Sequence, residues 1–197
     1  FYDIQKGRIY IDDDPIQKYK LDNLRRHLAI VLQDVFLFSG TLFDNISLKD
    51  PDISRDEVIE ASKLIGAHDF FDELPEKYDF WISERGNNLS MGQRQLISFV
   101  RALIFRPHIL ILDEATSSID TETEAIIQHA IETLIEKRTS IIIAHRLSTI
   151  KHADKILVLH QGEIKEFGSP EKLLEIENGW YKNLYENQFL SEAKLSA

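Results

Sequence analysis

The feature that most constrains the fold of this chain is a short apolar run, Ile109–Leu112, which is followed at once by Asp113 and Glu114. A proline precedes the run, and a run of this length between a proline and an acidic pair is typical of a parallel β-strand buried on both faces. Ser140–Ala144, which ends at His145, is predicted to be a second buried strand of this kind. The sequence therefore predicts an α/β fold with a parallel sheet.

Helical patterns fill the middle of the chain. A predicted capping box at Ser54 begins one helix, and residues 90–105 carry apolar side chains at helical spacing. Strands and helices alternate towards both ends of the chain. We therefore expect an α/β core, made of residues 1–39 and 106–197, into which a helical subdomain, residues 40–105, is inserted.

Composition excludes several classes of protein. The 197 residues include 23 Lys plus Arg and 33 Asp plus Glu, for a net charge of −10, which argues against a general nucleic-acid binder or a membrane-surface module. The lack of cysteine excludes disulfides, thiolate catalysis and cysteine-ligated metals. No run approaches 18 apolar residues, so no membrane span is predicted. The chain begins without Met, and we expect it to be part of a longer one.

Motif searches narrow the chemistry further. The phosphate-binding loop G-x-x-x-x-G-K-[ST] is absent from these residues, as are the dinucleotide fingerprint G-x-G-x-x-G, the serine-hydrolase elbow G-x-S-x-G and the zinc helix H-E-x-x-H.

The acidic pair after the first predicted strand is a candidate phosphate-chemistry site. Open α/β sheets bind ligands at the carboxyl ends of their strands, where Asp113 can hold magnesium and Glu114 can polarise an attacking water. Taken alone, the pair is slightly better explained as two acids that solvate the end of a strand.

A second candidate is the segment Leu89–Gln93, of sequence LSMGQ, which we call the signature-like segment. Ser90 is a good N-cap, and the amides and dipole at the start of the helix suit a phosphate. Gly92 lets the backbone approach a ligand closely. Taken alone, the segment is an ordinary capped helix.

Two further polar residues, Gln33 and His145, each follow a predicted strand. A histidine there can hydrogen-bond a terminal phosphate, and a glutamine amide can bind magnesium or orient water. Each alone is typical of a solvated strand end. The four features together, in the order Gln33, LSMGQ, LILDE and His145, favour a nucleotide-phosphate site.

Several longer stretches resemble one family, the ABC transporters. LSMGQRQ resembles the ABC signature, HILILDEATSSID resembles Walker B and the D-loop, AHRLSTI the switch-histidine region, and VLQDVFLFSGTLFDNI the Q-loop of exporters. WISERG resembles the exporter-specific loop before the signature, and FYDIQKGRIYIDD resembles the segment that follows the Walker A helix. Over all 197 residues the chain resembles an exporter-type ATP-binding domain without its Walker A part, and the resemblance implies a P-loop NTPase-like (RecA-like) fold.

The resemblance implies roles for the residues at the strand ends. Asp113 and Gln33 would bind Mg²⁺, Glu114 would be the general base, and His145 would contact the γ-phosphate of ATP. Gln33 would also bind the attacking water and sense the membrane domain.

The signature-like segment would bind ATP held on an opposing subunit, through Leu89, Ser90, Gly92 and Gln93. Met91 departs from the family pattern, which has Gly at this position; the other clamp residues remain, and we expect the clamp to work.

Two pairs of residues would face partner surfaces. Ser118 and Asp120 belong to the D-loop, and Asp120 would cross the dimer interface. Glu84 and Arg85 would face the cytoplasmic loops of the membrane domain.

The function implied is ATP hydrolysis that powers export, with ATP and Mg²⁺ as cofactors, in a head-to-tail dimer with a second, identical or different, ATP-binding domain. The other partner would be the transmembrane domain of the transporter, at the cytoplasmic face of the cell membrane, with no nucleic acid involved. Without Walker A, we expect the 197-residue chain to be inactive alone. One alternative is a non-catalytic signature and dimerisation module of a heterodimeric transporter. Another is a DNA-repair-type ABC ATPase, against which the lack of sustained heptads in residues 34–89 argues.

Overall fold

The computed structural model of the chain describes residues 4–113, 121–144, 150 and 153–195, and for residues 121–122 and 188–195 it describes the backbone alone. The chain divides into two compact units, Phe1–Ile143 and Ala144–Ala197, which are described separately.

Short elements dominate the described residues. The helices are α1 (Leu21–Arg26), α2 (Leu42–Ser47), α3 (Arg55–Ile65), α4 (His68–Asp72), α5 (Met91–Ile104), α6 (Thr121–Ile135), α7 (Pro170–Leu174) and α8 (Trp180–Leu195). The strands are β1 (Tyr10–Ile11), β2 (Asp14–Pro15), β3 (Leu28–Val31), β4 (Gly40–Thr41), β5 (Trp81–Ile82), β6 (Ile109–Asp113), β7 (Thr139–Ile143), β8 (Ile156–His160) and β9 (Glu163–Gly168). Short 3₁₀ turns occur at Ile16–Lys18, Lys77–Asp79 and Glu84–Gly86.

The first unit contains a parallel sheet in the strand order β3-β6-β7. Val31 lies beside Leu112 on one side of the central strand, and Asp113 lies beside Ile143 on the other. Helix α6 connects β6 to β7, as parallel neighbours require. The prediction of an α/β fold with a parallel sheet is therefore confirmed.

Only one face of this sheet is covered. Leu110 and Leu112 of β6 are completely buried, whereas Ile30, Ile141 and Ile143 are 46%, 53% and 50% exposed. Successive strand residues point to opposite faces, so these three exposed residues mark a second face that the described residues of this unit leave largely open. The prediction that these strands are buried on both faces is therefore wrong for the unit as it stands here.

Helix α5 is the centre of the hydrophobic core of the first unit. It packs against α2, α3 and α6 and against strand β3. Its buried side chains include Leu96, Ile97, Phe99 and Val100, which belong to one continuous core cluster with residues of the sheet.

The predicted capping box at the start of α3 is confirmed. Ser54 Oγ accepts a hydrogen bond from Glu57 N at 3.2 Å, and Glu57 Oε2 accepts one from Ser54 N at 2.9 Å. Together they satisfy two amides at the start of the helix.

The predicted helical subdomain, residues 40–105, also holds a small antiparallel ribbon. Gly40 pairs with Ile82 and Thr41 with Trp81, so that β4 and β5 join the first residues of this region to the loop before α5. The division into residues 1–39, 40–105 and 106–197 stays a prediction.

The second unit is a hairpin with two helices. Strands β8 and β9 pair across a turn at Gln161 and Gly162, and α7 begins with Pro170 at its first position. Ile156, Leu173 and Tyr181 form its small core.

A buried acid fixes the start of α8 in this unit. Glu166 accepts hydrogen bonds from the backbone amides of Trp180 at 2.6 Å and Tyr181 at 3.0 Å, which the helix itself leaves unsatisfied. Among the helices that the structure describes, none is long and apolar enough to cross a membrane.

Candidate functional site

Gln33 and Asp113 lie at the same edge of the parallel sheet, the edge that is formed by the carboxyl ends of its strands. Asp113 is the last residue of β6 and Gln33 follows the neighbouring strand β3 by two positions, while the register places Val31 beside Leu112. Asp113 is half-buried and Gln33 is exposed. The structure thus brings these two predicted ligands together, at the edge where open α/β sheets bind ligands.

Four of the predicted site residues lie outside the described residues: Glu114, Ser118, Asp120 and His145. Their roles stay predictions. In the sequence, Glu114 directly follows Asp113, and His145 comes two residues after the end of β7.

The signature-like segment begins helix α5 and does not belong to the sheet edge. Ser90 is the N-cap, as predicted: its Oγ accepts a hydrogen bond from Gln93 N at 3.2 Å, and Gln93 Oε1 accepts one from Ser90 N at 2.7 Å. The side chain of Gln93 is therefore used in the cap itself, which residue type alone did not reveal.

The cap leaves Ser90 able to donate a hydrogen bond. A serine hydroxyl has one donor and two acceptor positions, and the bond from Gln93 N uses an acceptor position. Ser90 is exposed, so its hydrogen can reach a ligand in front of the helix. The amides of Met91 and Gly92 follow in the first turn, where the positive end of the helix dipole lies.

The other residues of the segment differ in how far they are buried. Leu89 is 7% exposed and Gly92 is buried, whereas Met91 is 40% exposed. The side chain that replaces the usual Gly is therefore directed to the surface at the start of α5 and does not fill the core.

Glu84 and Arg85 lie in an exposed 3₁₀ turn just before this segment. Arg85 has φ 57°, a left-handed conformation that is uncommon for a residue with a side chain. Asn88 holds the loop by accepting a hydrogen bond from Ser83 N at 3.0 Å and donating one to Trp81 O at 2.9 Å.

Gly86, the third residue of this turn, packs against the loop that follows Gln33. With φ 68°, it leaves room for Leu37, which is completely buried; a β-carbon at Gly86 would lie 2.8 Å from Leu37 Cδ1. The predicted coupling loop and the loop after Gln33 are thus in direct contact.

Arg94 ties the same loop to helix α5. Its Nη1 donates hydrogen bonds to Gly86 O at 3.3 Å and to Leu89 O at 3.1 Å. Two sets of hydrogen bonds therefore hold the signature-like segment. One is the cap formed by Ser90 and Gln93, and the other is made by Arg94 in the first turn of α5.

Sequence reasoning missed Arg101, which organises the loop after Gln33. Its Nε donates to Asn45 O at 2.9 Å and its Nη1 to Phe36 O at 3.3 Å, while the Asn45 side chain is bonded to both backbone groups of Phe38 at 2.9 Å. Burial lowers the pKa of the Arg101 guanidinium to about 10, which still leaves it charged at neutral pH.

A signal for Arg101 was available in the sequence. It lies four residues after Ile97 and next to Val100, on the apolar side of a strongly amphipathic helix. A lone cation in such a stripe must find acceptors inside the protein, because a buried unpaired charge is very costly.

Arg101 also lines a cavity of about 450 Å³ beside the loop after Gln33. The cavity is also lined by Leu32 and Asp34, which lie on either side of Gln33, and by Phe36, Leu48 and Phe105. The two leucines and two phenylalanines in this group are each 37–57% exposed. Nη2 of Arg101 is buried and has no hydrogen-bond partner among the described residues. The wall of the cavity is thus mostly apolar, but Arg25, Arg26 and Arg101 and the carboxylate of Asp34 also line it.

The ligand oxygen atoms at the sheet edge suit Mg²⁺. This ion prefers oxygen ligands and is usually held by one or two carboxylates together with waters and substrate phosphates. Asp113 offers one carboxylate and Gln33 an amide oxygen, and the described residues contain no cluster of three or more His, Cys, Asp or Glu that would make a protein-only metal site. The residues therefore fit a magnesium ion that arrives with a phosphate ligand.

Comparisons with known proteins show which family this chain is similar to. The family model for ABC transporters matches residues 1–117, more than half of the chain. A probable multidrug resistance ABC transporter ATP-binding/permease protein of Bacillus subtilis, YheH, is 50% identical over 188 residues, which cover 95% of this chain and 28% of that protein. The ATP-dependent lipid A-core flippase of Haemophilus influenzae is 50% identical over 190 residues, 96% of this chain and 32% of the flippase.

Among solved structures, a bacterial Atm1-family ABC exporter with ATP bound is similar to this chain with a TM-score of 0.86 and 42% identity. The similarity covers 95% of this chain and 32% of the exporter, and it confirms the predicted P-loop NTPase-like fold. The chain spans about a third of the length of each of these relatives.

Proposed function

Because the chain belongs to the ABC transporter family, as part of an exporter-type ATP-binding domain, we propose that it binds and hydrolyses ATP to power export across a membrane. The observation that carries the proposal is the placement of Gln33 and Asp113 at one edge of the parallel sheet. The similar solved structure, which is named an ABC exporter, supports the direction of transport.

At the sheet edge, Asp113 and Gln33 hold Mg²⁺ in this proposal. The ion supplies charge neutralisation for the phosphates when it is bound. Glu114, next in the chain, accepts the proton of the attacking water as a general base, and His145 donates a hydrogen bond to the γ-phosphate. Gln33 also orients the water.

The signature-like segment acts on the ATP of an opposing subunit. Its exposed Ser90 donates to a phosphate oxygen, and the first amides of α5 and the helix dipole stabilise the negative charge. A complete site then needs a second ATP-binding domain, identical or different, arranged head to tail, with Ser118 and Asp120 at the shared interface.

The transmembrane domain docks on the loop after Gln33 and on Glu84 and Arg85. This is supported by the mostly apolar cavity beside that loop, by two exposed phenylalanines, Phe36 and Phe38, whose rings lie 5.0 Å apart, and by relatives that are named ATP-binding/permease proteins. The occupant is a cytoplasmic helix of the permease with apolar side chains and a carbonyl or carboxylate acceptor for Arg101. The domain works at the cytoplasmic face of the cell membrane.

A second candidate is a non-catalytic module that contributes only the signature-like segment to a partner's ATP. The observation that favours it is that the cap formed by Ser90 and Gln93 is complete within this chain. The two candidates differ in whether Glu114 serves as a base.

The deciding experiment is Glu114→Gln in the full-length protein that contains this chain. We expect ATP binding to persist and turnover to fall at least about 100-fold, because general-base action is lost. Glu60→Gln on α3, an exposed residue paired with Lys63, is the matched control and should leave turnover unchanged. Normal turnover in Glu114→Gln contradicts the catalytic proposal and favours the non-catalytic module.

The 197-residue chain by itself is proposed to be inactive, since its residues contain no phosphate-binding loop. A thermal-shift titration with Mg-ATP tests this, and we expect no shift. A saturable shift would mean that the residues present bind nucleotide by themselves.

A further inference from the structure

Two exposed histidines, His27 and His108, face each other at the opposite edge of the sheet from Gln33 and Asp113. Their Nδ1 atoms are 2.9 Å apart, and their ring centroids are 4.8 Å apart with the planes tilted by 57°. Neither residue belongs to the proposed ATP site, and nothing in the proposed function uses them.

The sheet fixes the backbones that carry the two rings. Each histidine directly precedes a strand, and the strands that follow are parallel neighbours with Leu28 beside Ile109. The carbonyl of His27 accepts hydrogen bonds from His108 N at 2.9 Å and from Ile109 N at 3.0 Å. The pair is therefore preorganised by backbone bonds and not only by a contact between two mobile side chains.

We propose that His27 and His108 form a chelating site for a divalent transition metal of tetragonal preference, Cu²⁺ or Ni²⁺. Bonds from imidazole nitrogen to such ions are about 2.0–2.1 Å long. Two nitrogens 2.9 Å apart then subtend an angle of about 90° at the ion, which is the angle between neighbouring ligands in square-planar or tetragonal coordination.

The same geometry discriminates against other ions. A tetrahedral ion such as Zn²⁺ needs its ligand nitrogens about 3.3–3.4 Å apart at these bond lengths, so it requires the rings to separate. Mg²⁺ prefers oxygen ligands and belongs to the Asp113 edge. Cu²⁺ also binds nitrogen ligands most tightly among the first-row divalent ions.

Metal binding here needs a change of tautomer in one ring and a rotation of both exposed rings. In the metal-free pair one ring donates its Nδ1 hydrogen to the Nδ1 of the other, so the accepting lone pair becomes available only when this hydrogen bond breaks. When the ion binds, the hydrogen bond breaks, the donor ring carries its proton on Nε2 and no longer on Nδ1, and both rings turn so that their Nδ1 lone pairs converge on the ion. No net proton is released.

Protein ligands supply two of the four tetragonal positions. The described residues hold no cluster of three or more His, Cys, Asp or Glu, so water fills the remaining positions and the site is open to solvent. Such an ion would join the start of β3 to the start of β6, and would stabilise the folded chain by binding it in preference to the unfolded one.

The test is a Cu²⁺ titration of the chain, followed by calorimetry and by electron paramagnetic resonance at one equivalent. We expect one tight site per chain with two nitrogen ligands. His27→Ala and His108→Ala should each lower the affinity of that site for Cu²⁺ about 100-fold. With one histidine bound, the second is held near the ion at a high effective concentration, and this advantage is lost when either ligand is removed. His129→Ala, which removes an exposed histidine on α6, should leave the site unchanged.

A second measurement needs no variant. Substoichiometric Cu²⁺ should broaden the amide resonances of residues 27–28 and 108–109 before those of other histidines. The proposal is overturned if the single variants each keep a site of unchanged affinity, which is the behaviour of independent histidines, or if broadening begins elsewhere. An electron paramagnetic resonance spectrum of bound Cu²⁺ without the axial pattern of a tetragonal site would overturn the tetragonal geometry.

Discussion

Gly86 and Leu37 touch across the two loops that the proposed function assigns to communication with the membrane domain. A β-carbon at Gly86 would lie 2.8 Å from Leu37 Cδ1, closer than such carbons approach in real structures. Leu37 is completely buried and cannot move away freely. The position of the turn before α5 is thus set by packing against the loop that begins at Gln33.

We predict that Gly86→Ala destabilises the first unit more than Gly66→Ala does. Both glycines have positive φ, 68° and 79°, so each substitution costs about 1–2 kcal/mol for the backbone conformation. Only Gly86→Ala also forces Leu37 to shift, which adds about 1–3 kcal/mol. The measurement is the free energy of unfolding in urea. Equal losses would show that Leu37 yields without cost.

Arg101→Met is predicted to loosen the loop after Gln33. The substitution keeps much of the side-chain volume but leaves the carbonyls of Phe36 and Asn45 without their donor, and we expect a loss of about 2–4 kcal/mol in the free energy of unfolding. Arg101→Lys should rescue only part of it, because an ammonium does not reproduce the planar fork of a guanidinium.

The matched control is Arg106→Met, in which the arginine side chain is 82% exposed and lies 3.9 Å from Glu57. Exposed ion pairs contribute little, so its effect should stay below about 1 kcal/mol. If Arg106→Met costs as much as Arg101→Met, the two backbone hydrogen bonds of Arg101 are not what stabilises the loop.

The strand ends could be predicted from the sequence because local pattern decides them. Short apolar runs bounded by polar residues identify β3, β6 and β7, and the register then places Gln33 and Asp113 at one edge. The capping box at Ser54 and the N-cap at Ser90 are equally local, since donor and acceptor are three residues apart, although the part that Gln93 plays in the second cap was not predicted.

Contacts between distant segments could not be predicted in this way. The bonds of Arg101 to Phe36 and Asn45 span 65 and 56 residues, and the pairing of His27 with His108 spans 81. The prediction that both faces of the sheet are buried was also wrong for the described residues of the first unit. Apolar composition shows which residues can be covered, but not whether another element covers them.

Acid should weaken helix α3 through Glu57. Hydrogen bonds from Ser54 N and Oγ, with Arg106 nearby, hold the pKa of Glu57 below its ordinary value of 4.5. A carboxylate whose pKa is lowered by folding stabilises the folded state above 4.5, and this contribution is lost as the pH falls through the lower value. The melting temperature of Glu57→Gln should therefore lie below that of the wild type at pH 7 and approach it near pH 3. A gap that stays constant over this range contradicts the assignment.

Ser90→Ala and Ser54→Ala separate the structural role of a cap from a role in ATP turnover. Each serine accepts a hydrogen bond 3.2 Å long from the amide three residues later, so each substitution should cost about 1 kcal/mol in the free energy of unfolding. Only Ser90 begins the signature-like segment, and only its hydroxyl donates to a phosphate in the proposed function. In the full-length protein, Ser90→Ala should therefore slow ATP hydrolysis at least about 10-fold, while Ser54→Ala leaves it within about twofold of the wild type. Steady-state ATPase assays on both variants, beside their unfolding curves, make the comparison. Equal ATPase rates at equal stability would show that Ser90 does no more than cap its helix.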